Sequence, residues 1–154
     1  MLDFVRIIFY IQQFLDSVIG YFKKEVQEKQ KRKKHYEPPT APDKYKRMLT
    51  YHNEFRHEYN LPPVQLHNKL SIAALIHAEN VDKHGNTTHV DFDKRVQLGV
   101  VGEIVINSKE NPLATFQKVI QNKNRRSTIL SDVEYVGFGE KNGYWVLLFA
   151  KVVL

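Results

Sequence analysis

The chain is predicted to fold as an α+β domain, with helices in its first part and strands closing it. Three observations carry that expectation. Apolar residues recur at three-to-four spacing in the segments starting at Tyr45, Leu70 and Asn111. Two apolar runs, Glu134–Glu140 and Tyr144–Val153, flank Lys141-Asn142-Gly143, where Asn-Gly signals a tight hairpin turn. A further short strand is expected around Val101–Ile106. Helices bunched early and strands bunched late describe an α+β layering. At 154 residues, 42% of them hydrophobic, the chain fits one domain of ordinary size plus an extension.

The extension comes first. Residues 1–22 are strongly apolar, but Asp3, Arg6 and Asp16 interrupt them and Gln12-Gln13 sits in the middle. A spanning helix wants about 20 largely apolar residues without charge. Here Asp3, Arg6, Gln13, Asp16, Ser17 and Gly20 recur at helical spacing, which describes an amphipathic helix with a narrow polar stripe. Its apolar face carries Phe4, Ile7, Ile8, Ile11, Phe14, Leu15 and Val18. Such a helix lies in a membrane interface, or docks on protein, more naturally than it spans. A spanning helix and a divergent signal sequence stay open as alternatives. Against the latter, Asp3 offsets Arg6 and no small-x-small cleavage pattern is visible.

Residues 23–36 read as a basic helical extension. Within residues 23–34 there are seven basic and two acidic side chains, with Lys24–Glu28 and Glu25–Lys29 at i,i+4. Lys31, Arg32, Lys33 and Lys34, next to an apolar helix, make a juxtamembrane polybasic segment. Each such charge is worth about 1 kcal/mol at an anionic surface. The expected partner is therefore an anionic lipid surface or a protein assembly. The expected localisation is at a membrane, with the domain on the same side as the basic segment; for a spanning helix the positive-inside rule makes that side cytoplasmic. Nucleic acid is a weaker expectation. A basic tail binds phosphate without sequence preference, but +5 of the net +6 charge falls in residues 1–47, which leaves residues 48–154 nearly neutral.

Residues 37–43 form a linker, because three prolines in five positions favour an extended, semi-rigid spacer. The domain then runs over residues 44–154. Its first helix, Tyr45–Tyr59, puts Met48, Leu49, Tyr51, His52, Phe55 and Tyr59 inward and stops before Leu61-Pro62-Pro63. Leu70–His84 is the second, with Asn68 as the expected N-cap, Leu70, Ala74, His77, Ala78 and Val81 on one face, and Gly85-Asn86 ending it. A small amphipathic piece follows His89. Asn111-Pro112 announces a third helix, a cap followed by proline in the first turn, continuing through Leu113, Phe116, Val119 and Ile120. Tyr144–Phe149 reads as a buried strand.

The function classes excluded are several. There is no cysteine, hence no disulfide framework or thiolate site. No internal repeat, phosphate-cradling glycine loop, HExxH motif or Cys/His metal spacing occurs. Only His77, His89 and Glu103 offer residue types for chemistry at positions that could meet.

The ordered set of motifs resembles the CAP superfamily of cysteine-rich secretory, antigen 5 and pathogenesis-related domains, in its cysteine-free bacterial form. The resemblance is carried by Tyr51–Pro63, His77-Ala-Glu-Asn, His89, Gly102-Glu103, Arg125-Arg-Ser-Thr-Ile-Leu130 and Tyr135-Val-Gly-Phe-Gly139, over about residues 45–154. It implies an α-β-α sandwich. It also implies a cleft where histidines and glutamates can hold a divalent metal such as zinc, with His89 matching the loop histidine and Glu103 the Gly-Glu glutamate. Two departures weaken that site. Arg125 stands where the bacterial pattern has histidine, and a guanidinium stays protonated and ligates no metal. Val119 stands where tryptophan is usual, and Thr115–Gln121 has no carboxylate. No cofactor is expected, and zinc on His89 and Glu103 is the weaker alternative.

The cleft is thus expected to hold His77, His89, Glu103 and Arg125, with Arg125 paired to Glu103. The remaining histidines, His35, His52, His57, His67 and His84, are expected at the surface from their polar neighbours. The leading functional expectation is a non-catalytic CAP-like binding or structural domain, anchored by its N-terminal helix to a membrane or a larger assembly such as a membrane-containing particle. A metal-dependent, hydrolase-like activity using His89 and Glu103 is the alternative. A lipid- or sterol-binding domain, and the extracellular location habitual in the family, stand on the resemblance alone.

Overall fold

The structure is a computed structural model that describes residues 12–13, 15–20, 23–24, 41–85 and 89–154. It divides into two compact units, Met1–Thr40 and Ala41–Leu154. In the first, the described residues are helical, and Leu15 and Ile19 are half exposed. Among the described residues no helix is long and apolar enough to cross a membrane. The expectations placed on Phe4, Ile7, Ile8, Ile11, Phe14 and on Lys31, Arg32, Lys33 and Lys34 lie outside the described residues.

The second unit is built on a four-stranded sheet. Its strands are β1 (Gln65–Leu66), β2 (Val100–Asn107), β3 (Tyr135–Lys141) and β4 (Tyr144–Ala150), in the order β1-β3-β4-β2. β1 runs parallel to β3, while β3 and β2 both pair antiparallel with β4. The β3–β4 hairpin closes through Asn142 and Gly143, both at positive φ, as the Asn-Gly signal requires. β4 is central and buried on both faces, which is why Trp145–Ala150 reads as an unbroken apolar run rather than an alternation.

Helices cover both faces. On one side, α1 (Asp43–Glu58), α4 (Pro112–Gln121) and α5 (Lys123–Ile129) bring Met48, Phe116, Val119 and Ile129 against Ile104, Phe138, Leu147 and Phe149. On the other, α2 (Asn68–His84) brings Leu70, Ala74, Ala78 and Val81 against Val100, Val105, Val146 and Leu148. α2 lies unusually close to β3. A Cβ at Gly137 would sit 2.3 Å from the Leu70 backbone, and one at Gly139 would sit 2.2 Å from that of Ala74. The Val-Gly-Phe-Gly run is therefore a packing surface for a helix. A short helix, α3 (Phe92–Val96), leads into β2.

Capping follows the sequence in part. Asn111 accepts from the Ala114 amide at 3.0 Å with Pro112 at the first helical position, and Gly85 ends α2 in the left-handed region. Asn68, however, is the first residue of α2 rather than its cap: His67 holds the N-cap position without a side-chain bond. β1 and α5 are additions that hydrophobic periodicity does not signal.

Two polar side chains lie at the heart of the helical layer. Arg56 is 1% exposed and donates to the carbonyls of Pro62 (2.9 Å), Ile129 (2.7 Å) and Ser131 (2.9 Å), tying α1 to the chain entering β3. His52 is also fully buried, which corrects the surface placement drawn from its polar neighbours. The helical period that put it on the inner face of α1 outweighs that local polarity. Its Nδ1 meets the Met48 carbonyl at 2.7 Å, and its ring packs against Phe116 and Phe138. Burial, with Arg56 nearby, pushes its pKa down to about 4 although the Met48 carbonyl opposes the shift. His57 and His84 are exposed, His67 is half-buried against Tyr135, and His35 lies outside the described residues.

Candidate functional site

The site gathers around Glu103. Strand alternation sends its side chain to the α2 face of β2, where it is 1% exposed. A carboxylate so placed needs partners, since an unpaired charge out of water costs several kcal/mol. Three residues supply them. α2 contributes His77, whose Nε2 lies 3.7 Å from Glu103 Oε1. The loop after α2 contributes His89, whose Nδ1 lies 2.8 Å from the same oxygen. The third is Arg95 of α3, which engages both carboxylate oxygens, Nε to Oε2 and Nη2 to Oε1 at 2.8 Å.

Arg95 is itself held in place. Its guanidinium donates to the carbonyls of Val90 (2.9 Å) and Asp91 (3.2 Å) and lies 5.9 Å from the Phe92 ring centre. Its side chain is 8% exposed. A planar fork matched to a carboxylate in this way is the geometry arginine serves better than lysine. The pair fastens the His89 loop and α3 to the sheet at one point.

The sequence-derived set is therefore brought together only in part. His77, His89 and Glu103 meet. Arg125 does not join them: its Nη2 donates to the Val105 carbonyl of edge strand β2 at 3.2 Å, and the expected Arg125–Glu103 ion pair is replaced by Arg95–Glu103. The reason is topological. Arg125 sits on α5, in the layer covering the opposite face of the sheet, whereas α3 leads directly into β2. Arg95 was missed by sequence reasoning. Its signal was a small amphipathic piece in which Phe92 and Arg95 share one face at i,i+3, just upstream of a carboxylate entering an apolar strand.

The chemistry of the donor set follows. A carboxylate only accepts hydrogen bonds, so His89 presents Nδ1–H to Glu103 and turns its other nitrogen away from that contact. Its side chain is 59% exposed. The donors do not fit a divalent ion as arranged: both oxygens of Glu103 are taken by a guanidinium, which would stand beside the metal as a like charge. Among the described residues no group of three or more His, Cys, Asp or Glu side chains is placed to hold a metal.

Comparison with known proteins places this architecture. Residues 49–149 match the model of the CAP family, described as the cysteine-rich secretory protein family. Among solved structures, the chain resembles an extracellular protein containing a SCP domain from Bacillus anthracis (TM-score 0.63, 19% identity), covering 74% of this chain and 45% of that one. It also resembles an outer surface protein from Borrelia burgdorferi (TM-score 0.59, 13% identity), covering 73% and 96% respectively. A cysteine-rich secretory protein from Staphylococcus aureus is similar as well (TM-score 0.57, 17% identity), covering 75% and 40%. The chain thus spans less than half of the Bacillus and Staphylococcus proteins, and at such identities these likenesses establish the fold alone. No curated protein matches the sequence. The family match extends over most of the chain and from α1 to β4, taking in Glu103 and its partners, so this chain belongs to the CAP (cysteine-rich secretory protein) family and carries its domain without a single cysteine.

Proposed function

We propose that this protein is a non-catalytic CAP domain displayed at a membrane or on a larger assembly, where it acts by binding rather than by chemistry. The observation that carries the reading is the bidentate Arg95–Glu103 pair. A carboxylate whose charge is matched by a buried guanidinium gripping both oxygens is a poor metal ligand and a poor base, because the guanidinium opposes a second cation beside it and favours the ionised form over the protonated one. Its role is to fix the His89 loop and α3 on the sheet. Arg125, at the position where the resembled pattern has histidine, is likewise committed to a backbone carbonyl.

Display rests on the extension. Residues 1–22 combine a broad apolar face with a narrow polar stripe, and seven basic side chains follow within residues 23–34. An apolar face in the lipid interface beside a basic segment at anionic headgroups supplies the two signals that stable anchoring takes. The descriptions of two similar structures, an extracellular protein and an outer surface protein, favour the outer face of a membrane for the displayed domain. Vesicle flotation of the full chain tests this. The protein should float on vesicles containing anionic lipid, and Phe14→Glu or reversal of Lys31, Arg32, Lys33 and Lys34 to Glu should leave it at the bottom. A full chain that floats on no vesicle, or floats equally well with both alterations, overturns the anchor.

A second reading has one observation in its favour: the exposed His89 is oriented through Nδ1 by a buried carboxylate, the arrangement of an imidazole serving as a general base. Zinc titration separates the readings. Stoichiometric binding that is lost in His89→Ala would favour the hydrolase-like alternative.

A further inference from the structure

The face of α2 opposite the sheet carries a pattern that the membrane reading does not use. With Leu70, Ala74, His77, Ala78 and Val81 turned inward, Lys69, Ile72, Ile76, Glu79 and Lys83 line up along the outer side. Their spacings alternate between three and four, which is the seam of a helix pair. Ile72 and Ile76 are 52% and 55% exposed, and Leu75 flanks them at 36%. A charged residue stands at either end of this apolar centre.

We propose that a second copy of this chain covers the stripe, the two α2 helices packing antiparallel about a twofold axis at the level of Ala74. In such a pairing, whenever residue i meets residue j, j also meets i. Lys69 with Glu79, and Ile72 with Ile76, share the same midpoint in the sequence, so one register satisfies both. It sets Ile72 against Ile76 of the second copy twice, and closes each end with a Lys69–Glu79 ion pair. The alternatives are worse on charge alone. Sliding the antiparallel pair by one heptad puts Ile72 against Lys83 and Ile76 against Glu79. A parallel pair puts Lys69 on Lys69 and Glu79 on Glu79. The charge pattern thus selects both direction and register, and it selects a copy of this chain over an unrelated apolar partner.

Lys69 also donates to the Leu154 oxygen, an exposed contact that leaves other ammonium hydrogens for a partner. A single helix pair buries less than a standard stable interface, so the dimer belongs to the weak, concentration-dependent class.

Sedimentation velocity of the full chain, from low micromolar to near-millimolar, should show a monomer passing to a dimer. Lys69→Glu alone and Glu79→Lys alone each create two like-charge contacts and should weaken association about tenfold. The double swap Lys69→Glu/Glu79→Lys should restore it. The absence of native cysteine gives a second readout of the register. Mild oxidation of a mixture of Ile72→Cys and Ile76→Cys chains should yield a mixed disulfide dimer in excess over either homodimer. A chain that stays monomeric throughout, a dimer indifferent to the single reversals, or a swap that fails to restore association overturns the proposal.

Discussion

Arginine at position 95 decides what kind of residue Glu103 is. With the guanidinium in place, the carboxylate is paired through both oxygens; without it, a charge would be left 1% exposed with histidine as its remaining partner. Arg95→Met should therefore destabilise the fold by about 3–5 kcal/mol, the cost of breaking one side of a buried pair. Urea unfolding measures it. Adding Glu103→Gln to that variant should recover part of the loss, since the second change removes the stranded charge. His52 makes a different residue-scale statement. Its folded pKa lies near 4 against an ordinary 6.5, so between those values the unfolded chain binds the proton that the folded chain refuses. Stability is then complete above about pH 6.5 and falls as pH drops towards 4, by about 1.4 kcal/mol per unit. Urea midpoints at about pH 7 and about pH 5 should differ accordingly, and His52→Leu should remove that share of the slope.

At the scale of elements, the placement of α2 depends on the absence of two side chains from β3. Gly137 and Gly139 let the helix backbone approach the strand so closely that a methyl group has no room. Since α2 holds His77 and the loop after it holds His89, this contact also sets the distance of both imidazoles from Glu103. Gly139→Ala should cost about 3 kcal/mol or prevent folding, because the obstruction is backbone rather than a movable side chain. Gly20→Ala, with nothing within 4 Å of its added Cβ, serves as the control and should leave the thermal midpoint unchanged or slightly raised. The helical layer across the sheet uses another device. Arg56 donates to the carbonyls of Ile129, the last residue of α5, and of Ser131 in the turn that follows, and so ties α1 by hydrogen bonds to the chain entering β3, beside the apolar packing the two share.

The net +6 is shared equally by the two units, +3 in residues 1–40 and +3 in residues 41–154, but the extension gathers its cations in residues 23–34, seven basic against two acidic side chains, apart from the apolar run before them. That separation of charge has a consequence for the flotation experiment. Attraction of the polybasic segment to anionic lipid is screened by salt, whereas insertion of an apolar face is not. Raising ionic strength from physiological to about 1 M should therefore reduce flotation of the full chain without abolishing it, as the screening length shrinks to about 3 Å. Flotation that salt leaves untouched would assign the whole affinity to the apolar face.

By itself the sequence determined the α+β class, the β3–β4 hairpin through Asn142-Gly143, the capped start of α4 at Asn111-Pro112, the stop of α2 at Gly85 and the family. These are written in local periodicity, turn chemistry and the order of motifs, each readable within a few residues. A two-residue strand such as β1 has no periodicity to read, and α5 follows α4 across a single residue, Asn122. The tertiary structure alone decided which arginine meets Glu103. Arg95 and Arg125 are chemically the same residue, and sequence can rank neither. One lies on a helix leading into the strand that bears the carboxylate; the other lies in the layer on the far face of the sheet. Ion pairing falls off over a few ångströms, and only the fold sets those distances.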